Sequence, residues 1–174
     1  MRKILKVVVP VLALACLLSA CGADRTITRD FGDFSIACPK GWDARSAETV
    51  EPGAVFLQLL MPENDNHRSH IDFIMRLYPG LSVDDFTEKY AQDVVSARGG
   101  EVGAELSLDA FEVVTLGNCS AVAIRYSGNV DGRGTVFTEQ IVPLEERLYQ
   151  ISYVVLSESD IPGMEQVMST VSFH

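Results

Sequence analysis

The sequence predicts an α+β fold, an antiparallel β-sheet flanked by helices. Three observations carry this. Apolar segments alternate with polar residues at period two. In His70–Tyr78, Ile71, Phe73, Met75 and Leu77 face the core, and His70, Asp72 and Arg76 face outward. Short turn-forming runs such as Gly117-Asn118 and 143–147 separate the strands, and short turns pair strands antiparallel because parallel pairing needs a long crossover. Only two segments carry a helical period, one mid-chain and one at the end, and both are amphipathic, so each covers a sheet face.

The elements follow in order. Phe31-Gly32-Asp33 is a turn into a strand at Phe34–Cys38, which Pro39 stops. Pro39-Lys40-Gly41 forces a change of direction before Trp42, the single tryptophan. We read Trp42 as a structural corner, a large aromatic over the end of the core, with ligand stacking as the alternative. Val55–Met61 and His70–Tyr78 form a hairpin around the polar loop 62–69. Ser82 and Asp85 have the spacing of a capping box, and Val83, Phe86, Tyr90, Val94 and Val95 recur at helical spacing until Gly99-Gly100. Strands are expected at Glu101–Leu108, Phe111–Leu116, Cys119–Tyr126, Thr135–Val142 and Leu148–Leu156, with a Gly-rich hairpin tip at 127–134. In the last strand Tyr149, Ile151, Tyr153 and Val155 share a face. Asp160 is placed to cap a final helix, with Pro162 in its first turn and Met164, Val167, Met168 and Val171 on its apolar side.

The first 20 residues read as a leader. Arg2, Lys3 and Lys6 precede an apolar run from Val7 to Leu18, too short to span a bilayer comfortably. Leu18-Ser19-Ala20-Cys21 then resembles a bacterial lipobox. That resemblance implies removal of residues 1–20, diacylglyceryl modification of the Cys21 thiol and a lipid-anchored, extracytoplasmic chain at a cell membrane. Each buried methylene contributes about 0.8 kcal/mol, so two or three acyl chains hold a domain firmly. Residues 21–30 form the tether and 31–174 a single domain.

Three of the 14 basic residues and none of the 24 acidic ones lie in the leader, so the remainder carries 11 against 24, a balance of −13. This argues against a nucleic-acid partner and against adsorption to anionic lipid. Cys16 leaves with the leader, and Cys38 and Cys119 remain in strands expected to share one sheet. Outside the cytoplasm they form a disulfide or stay two separate buried thiols, and the sequence leaves both open.

Chemistry-bearing residues are few. Asp65, His67 and His70, beside Glu63, combine imidazole and carboxylate as divalent-metal sites do, against the plainer reading of a solvated loop. Ser127–Gly132 has the phase of a calcium loop but lacks its closing glutamate, so we read it as a turn. No G-x-S-x-G motif is present. No cofactor is expected, and the chain is not expected to be an enzyme.

Phe34-Ser35-Ile36 leading to Pro39-Lys40-Gly41-Trp42, the Phe86–Tyr90 helix, the Tyr149-Gln150-Ile151-Ser152-Tyr153 strand and the closing Val171-Ser172-Phe173 are motifs of packing. Across residues 31–173 they resemble the Mog1/PsbP-like superfamily, including small bacterial lipoproteins of the PsbP-like and DcrB-like kind. The resemblance implies an α/β/α sandwich and an accessory, scaffold or binding role, with no shared catalytic set. The expected function is a membrane-anchored, non-enzymatic binding or accessory module whose partner is an unidentified envelope protein. The alternatives are an extracytoplasmic ligand- or metal-binding protein and, third, an envelope hydrolase.

Overall fold

The computed structural model describes residues 27–62 and 68–174. The leader, Cys21, Asp65 and His67 lie outside the described residues. The elements run β1 (Ile27–Asp30), β2 (Phe34–Cys38), β3 (Asp43–Ser46), β4 (Val55–Leu60), β5 (His70–Leu77), α1 (Glu88–Val102), β6 (Leu106–Leu116), β7 (Cys119–Val130), β8 (Arg133–Pro143), β9 (Arg147–Val155), α2 (Ile161–Met168) and β10 (Ser172–Phe173).

The strands make two antiparallel sheets where one was expected. The smaller has the order β1-β2-β10, the larger β3-β4-β5-β9-β8-β7-β6. The larger sheet divides the molecule. On one face, the small sheet and α2 bring Phe34, Ile36 and Met164 onto Phe73, Ile151 and Tyr149, and the Phe34 and Phe73 rings stack at 5.4 Å. On the other face, Ala91 and Val95 of α1 meet Val122, Ile124 and Tyr126. Burying each large apolar side chain contributes about 1.5–3 kcal/mol. The two covers are offset. The first core draws its sheet residues mainly from β4, β5 and β9, the second mainly from β7 and β8. Each cover therefore leaves part of its own face open.

Several local expectations are corrected. The capping box of Ser82 and Asp85 starts a one-turn 3-10 helix, and α1 begins later, with the Thr87 hydroxyl accepting from the Tyr90 amide at 3.3 Å. The helix also passes Gly99-Gly100 and ends at Gly103, whose φ of 66° favours glycine. The two strands expected at 101–108 and 111–116 are one, β6, with a register shift between Leu108 and Ala110. The Gly-rich tip shrinks to the turn Asp131-Gly132, because β7 and β8 extend toward it. β1 occupies the end of the expected tether and pairs with β2. Leu77 is 59% exposed rather than in the core, since the burial of its face of β5 ends at Met75. Cys38 and Cys119 lie in different sheets, and both are free thiols. Gly117 is required where it stands: a Cβ there would lie 2.5 Å from the Val171 carbonyl oxygen, so the β6–β7 turn packs directly on the chain entering β10.

Candidate functional site

The polar residues of β5 do not face open solvent. Register places Gln58, Asp72, Ser152 and Glu139 opposite one another across β4, β5, β9 and β8, on the α1 face. Because α1 sits over the far half of that face, Asp72, Ser152 and Glu139 become the floor of a cleft of about 690 Å³. Phe86, Tyr90, Val94 and Arg98 form its helical wall.

Glu139 is the centre. It is 3% exposed, and an isolated carboxylate cannot be left there without partners. Tyr126 Oη donates to its Oε1 at 3.0 Å, Ser152 Oγ to the same oxygen at 2.9 Å, and Gln150 Nε2 to Oε2 at 3.2 Å. Arg98 Nη2 stands 4.0 Å from Oε1 and donates to Ser152 Oγ at 3.3 Å. Arg76 Nε extends the chain by donating to Gln150 Oε1 at 3.3 Å. At the near edge, Gln58 Nε2 donates to Asp72 Oδ1 at 2.8 Å. The Arg98 guanidinium also lies 5.6 Å from the Phe137 ring centre, and that ring stacks on Tyr126.

Burial pushes the Glu139 carboxyl above its usual range, against the pull of Gln150, Ser152, Tyr126 and Arg98. Burial also raises the Tyr126 hydroxyl, and the neighbouring Glu139 charge adds to it. For Arg98, burial works against the charge, but Tyr126 and Glu139 more than offset it and raise its value. The arrangement is a closed acceptor–donor set with an open side, suited to holding a polar ligand group. Ser152, the cleft's serine, is engaged by Arg98 and Glu139 rather than by an imidazole.

The residues singled out from sequence lie elsewhere. Trp42 follows a turn closed by its amide to the Pro39 carbonyl at 3.2 Å and packs against the main core beside Gly163 of α2, as a corner residue does. His70 is at the mouth of an adjoining cleft, with Nε2 3.7 Å from Asp72 Oδ2 and Nδ1 3.3 Å from the Arg68 carbonyl oxygen. Its proposed co-ligands His67 and Asp65 lie outside the described residues. Among the described residues no cluster of three or more His, Cys, Asp or Glu side chains is placed to hold a metal. Burial raises the thiol values of both Cys38 and Cys119. Sequence reasoning missed Glu139 and Arg98. The signal for Glu139 was present: it falls between Phe137 and Ile141 on the buried face of β8, where period two calls for an apolar side chain.

No family model matches the sequence, and no curated protein matches it significantly. Solved structures share its fold. The cyanobacterial PsbP (CyanoP) of Synechocystis sp. PCC 6803 superposes with a TM-score of 0.66 at 12% identity, over 89% of this chain and 96% of that one. LpqN of Mycobacterium tuberculosis, described as involved in cell envelope biogenesis, gives 0.54 at 16% identity over 85% and 90%. A Bacteroides thetaiotaomicron protein gives 0.50 at 12% identity, over 86% of this chain and 48% of that one. At these identities the likeness is one of fold. The chain carries the PsbP-like α+β architecture, two antiparallel sheets with two helices. Among the described residues no helix is long and apolar enough to cross a membrane.

Proposed function

We propose that this chain is a lipid-anchored accessory module of a bacterial cell envelope, acting by binding rather than by catalysis. The observation that carries the reading is Leu18-Ser19-Ala20-Cys21 at the end of a charged-then-apolar leader, ahead of an acidic domain. The description of LpqN supports an envelope setting, and the PsbP-like fold supports an accessory role. The α1-side cleft is the site at which the module engages a polar group of its partner, an envelope protein. Labelling growing cells with a palmitate analogue tests the anchor. The wild-type chain takes up label and fractionates with membranes, whereas Cys21→Ser does neither. Membrane retention of an unlabelled Cys21→Ser chain would refute lipid anchoring.

The alternative, an extracytoplasmic ligand-binding protein, draws on the same cleft volume, which lies within the range of small-molecule pockets. A divalent ion held by His67, His70 and Asp65 is its metal version. A melting temperature unmoved by a panel of divalent ions removes that version.

A further inference from the structure

The opposite face of the large sheet holds a second cleft. There α2 leaves β6, β7 and β8 partly uncovered, and a cleft of about 510 Å³ opens beside it. Its floor is shallow-sided at Ala110 and Ala123, and Val114, Val136, Met164 and Met168 make it apolar. Tyr153 and Gln140 also line it.

These two side chains are anomalous. Tyr153 is 6% exposed, and its hydroxyl has no hydrogen-bond partner among the described residues. The Gln140 Oε1 oxygen is likewise buried and unpartnered. Buried polar groups are nearly always paired, and each unpaired one costs stability. Register explains why they lie together: Tyr153 faces Thr138 and Gln140 faces Ile151, so they are diagonal neighbours on β9 and β8. The Gln140 N–H approaches the hydroxyl oxygen closely enough to favour its ionisation, which leaves the hydroxyl's own proton and Gln140 Oε1 without a partner among the described residues. Burial, reinforced by the Glu165 charge, keeps Tyr153 a neutral O–H donor. One unused donor and one unused acceptor therefore stand side by side beneath an apolar wall.

We infer that this cleft binds a small neutral amphiphile, an apolar body with an amide or hydroxyl headgroup. The headgroup oxygen accepts from Tyr153 Oη, and its N–H or O–H donates to Gln140 Oε1, after a small turn of the two side chains toward the cleft. Charged headgroups are disfavoured, because the apolar wall of Val114, Val136, Met164 and Met168 would strip them of water without a dedicated counter-charge at the Tyr153–Gln140 pair. This site is separate from the α1-side cleft and does not depend on the anchor.

The test uses the full chain in lipid nanodiscs, with hexanamide and hexan-1-ol as probes and hexanoate and hexylammonium as charged controls. The readout is the Gln140 side-chain amide resonance. The two neutral probes shift it saturably, and the charged controls do so at least tenfold more weakly. Tyr153→Phe, which preserves shape, weakens hexanamide binding about tenfold, the loss of one hydrogen bond to a ligand. Ala123→Leu, which fills the floor, abolishes it. The inference is overturned if Gln140 shows no saturable shift, if shifts are confined to the α1-side cleft, or if both variants bind hexanamide like the wild type.

Discussion

The two clefts share one sheet and treat buried polarity in opposite ways. On the α1 face, Glu139 brings a carboxyl into the interior, and Tyr126, Ser152 and Gln150 each donate to it. On the α2 face, Tyr153 and Gln140 bury a hydroxyl proton and a carbonyl oxygen that meet no partner among the described residues. A satisfied network specifies one arrangement of strands and helix, since any shift in register leaves a donor or acceptor stranded. An unsatisfied pair lowers stability, and a protein retains such a cost where a bound group offsets it. The difference separates a polar cluster whose groups are already paired, so that a ligand joins it only from the open side of the cleft, from one whose donor and acceptor still await a partner.

The comparison breaks most readily at Glu139. Glu139→Ala strands three donors and removes the counter-charge of Arg98, for an expected loss of about 3 kcal/mol. Urea unfolding followed by Trp42 fluorescence measures it, and a loss under about 1 kcal/mol would show that the network does not hold the sheet.

A sharper form applies one substitution to both faces. Tyr126→Phe deprives Glu139 of a donor and lowers stability by about 1–2 kcal/mol. Tyr153→Phe removes an unpaired hydroxyl without leaving a cavity and raises stability by about 1 kcal/mol. Melting curves of the two variants shift in opposite directions, and shifts of the same sign would erase the distinction between the clefts.

The smallest effects appear in the pH dependence, where Glu139 contrasts with Asp33. Glu139 holds its proton more tightly in the fold than its ordinary value of 4.5. The native state then binds more protons than the unfolded chain, so its contribution falls as pH rises from that value through the folded one. Asp33 is the reverse. Tyr149 Oη donates to its Oδ2 at 2.5 Å, and Arg147 pairs with the same oxygen. The Tyr149 bond lowers the carboxyl below 3.8 against a smaller effect of burial, with Arg147 adding to the lowering. That contribution is present above the unfolded value and is lost as pH falls through the folded one. Glu139→Gln flattens the fall in stability above pH 4.5, and Asp33→Asn flattens the fall below 3.8. An unchanged fall in either variant would contradict the assignment.

Much of the strand pattern was legible because period two marks a half-buried strand directly. Ile71, Phe73 and Met75 on β5 and Tyr149, Ile151, Tyr153 and Val155 on β9 face the core as their alternation required. The apolar side of α2 was equally legible at Met164, Val167 and Met168. The sites were not. Alternation labels His70, Asp72 and Arg76 as outward, but it cannot say whether outward means water or a cleft beneath a helix docked off-centre. The Ser82 capping box was real and yet began only a single 3-10 turn, because local hydrogen bonding does not reveal how far a helix continues. Leu77 shows the same limit in reverse, as an apolar residue in phase whose neighbours do not extend over it.

What the sequence determined by itself was local: the strand phases, the two amphipathic helices and the excess of acidic residues. Each depends on residues adjacent in the chain or one turn apart. Tertiary structure decided which strands are neighbours, that β1, β2 and β10 form a second sheet, and how far each cover reaches across the large one. Glu139 meets Tyr126 and Ser152 from strands on either side of it, and Tyr153 lies beside Gln140 across the same β8–β9 pairing, on the opposite face of the sheet. Sites of this kind are made by register between distant segments, and register is a property of the packed sheet rather than of any one stretch of chain.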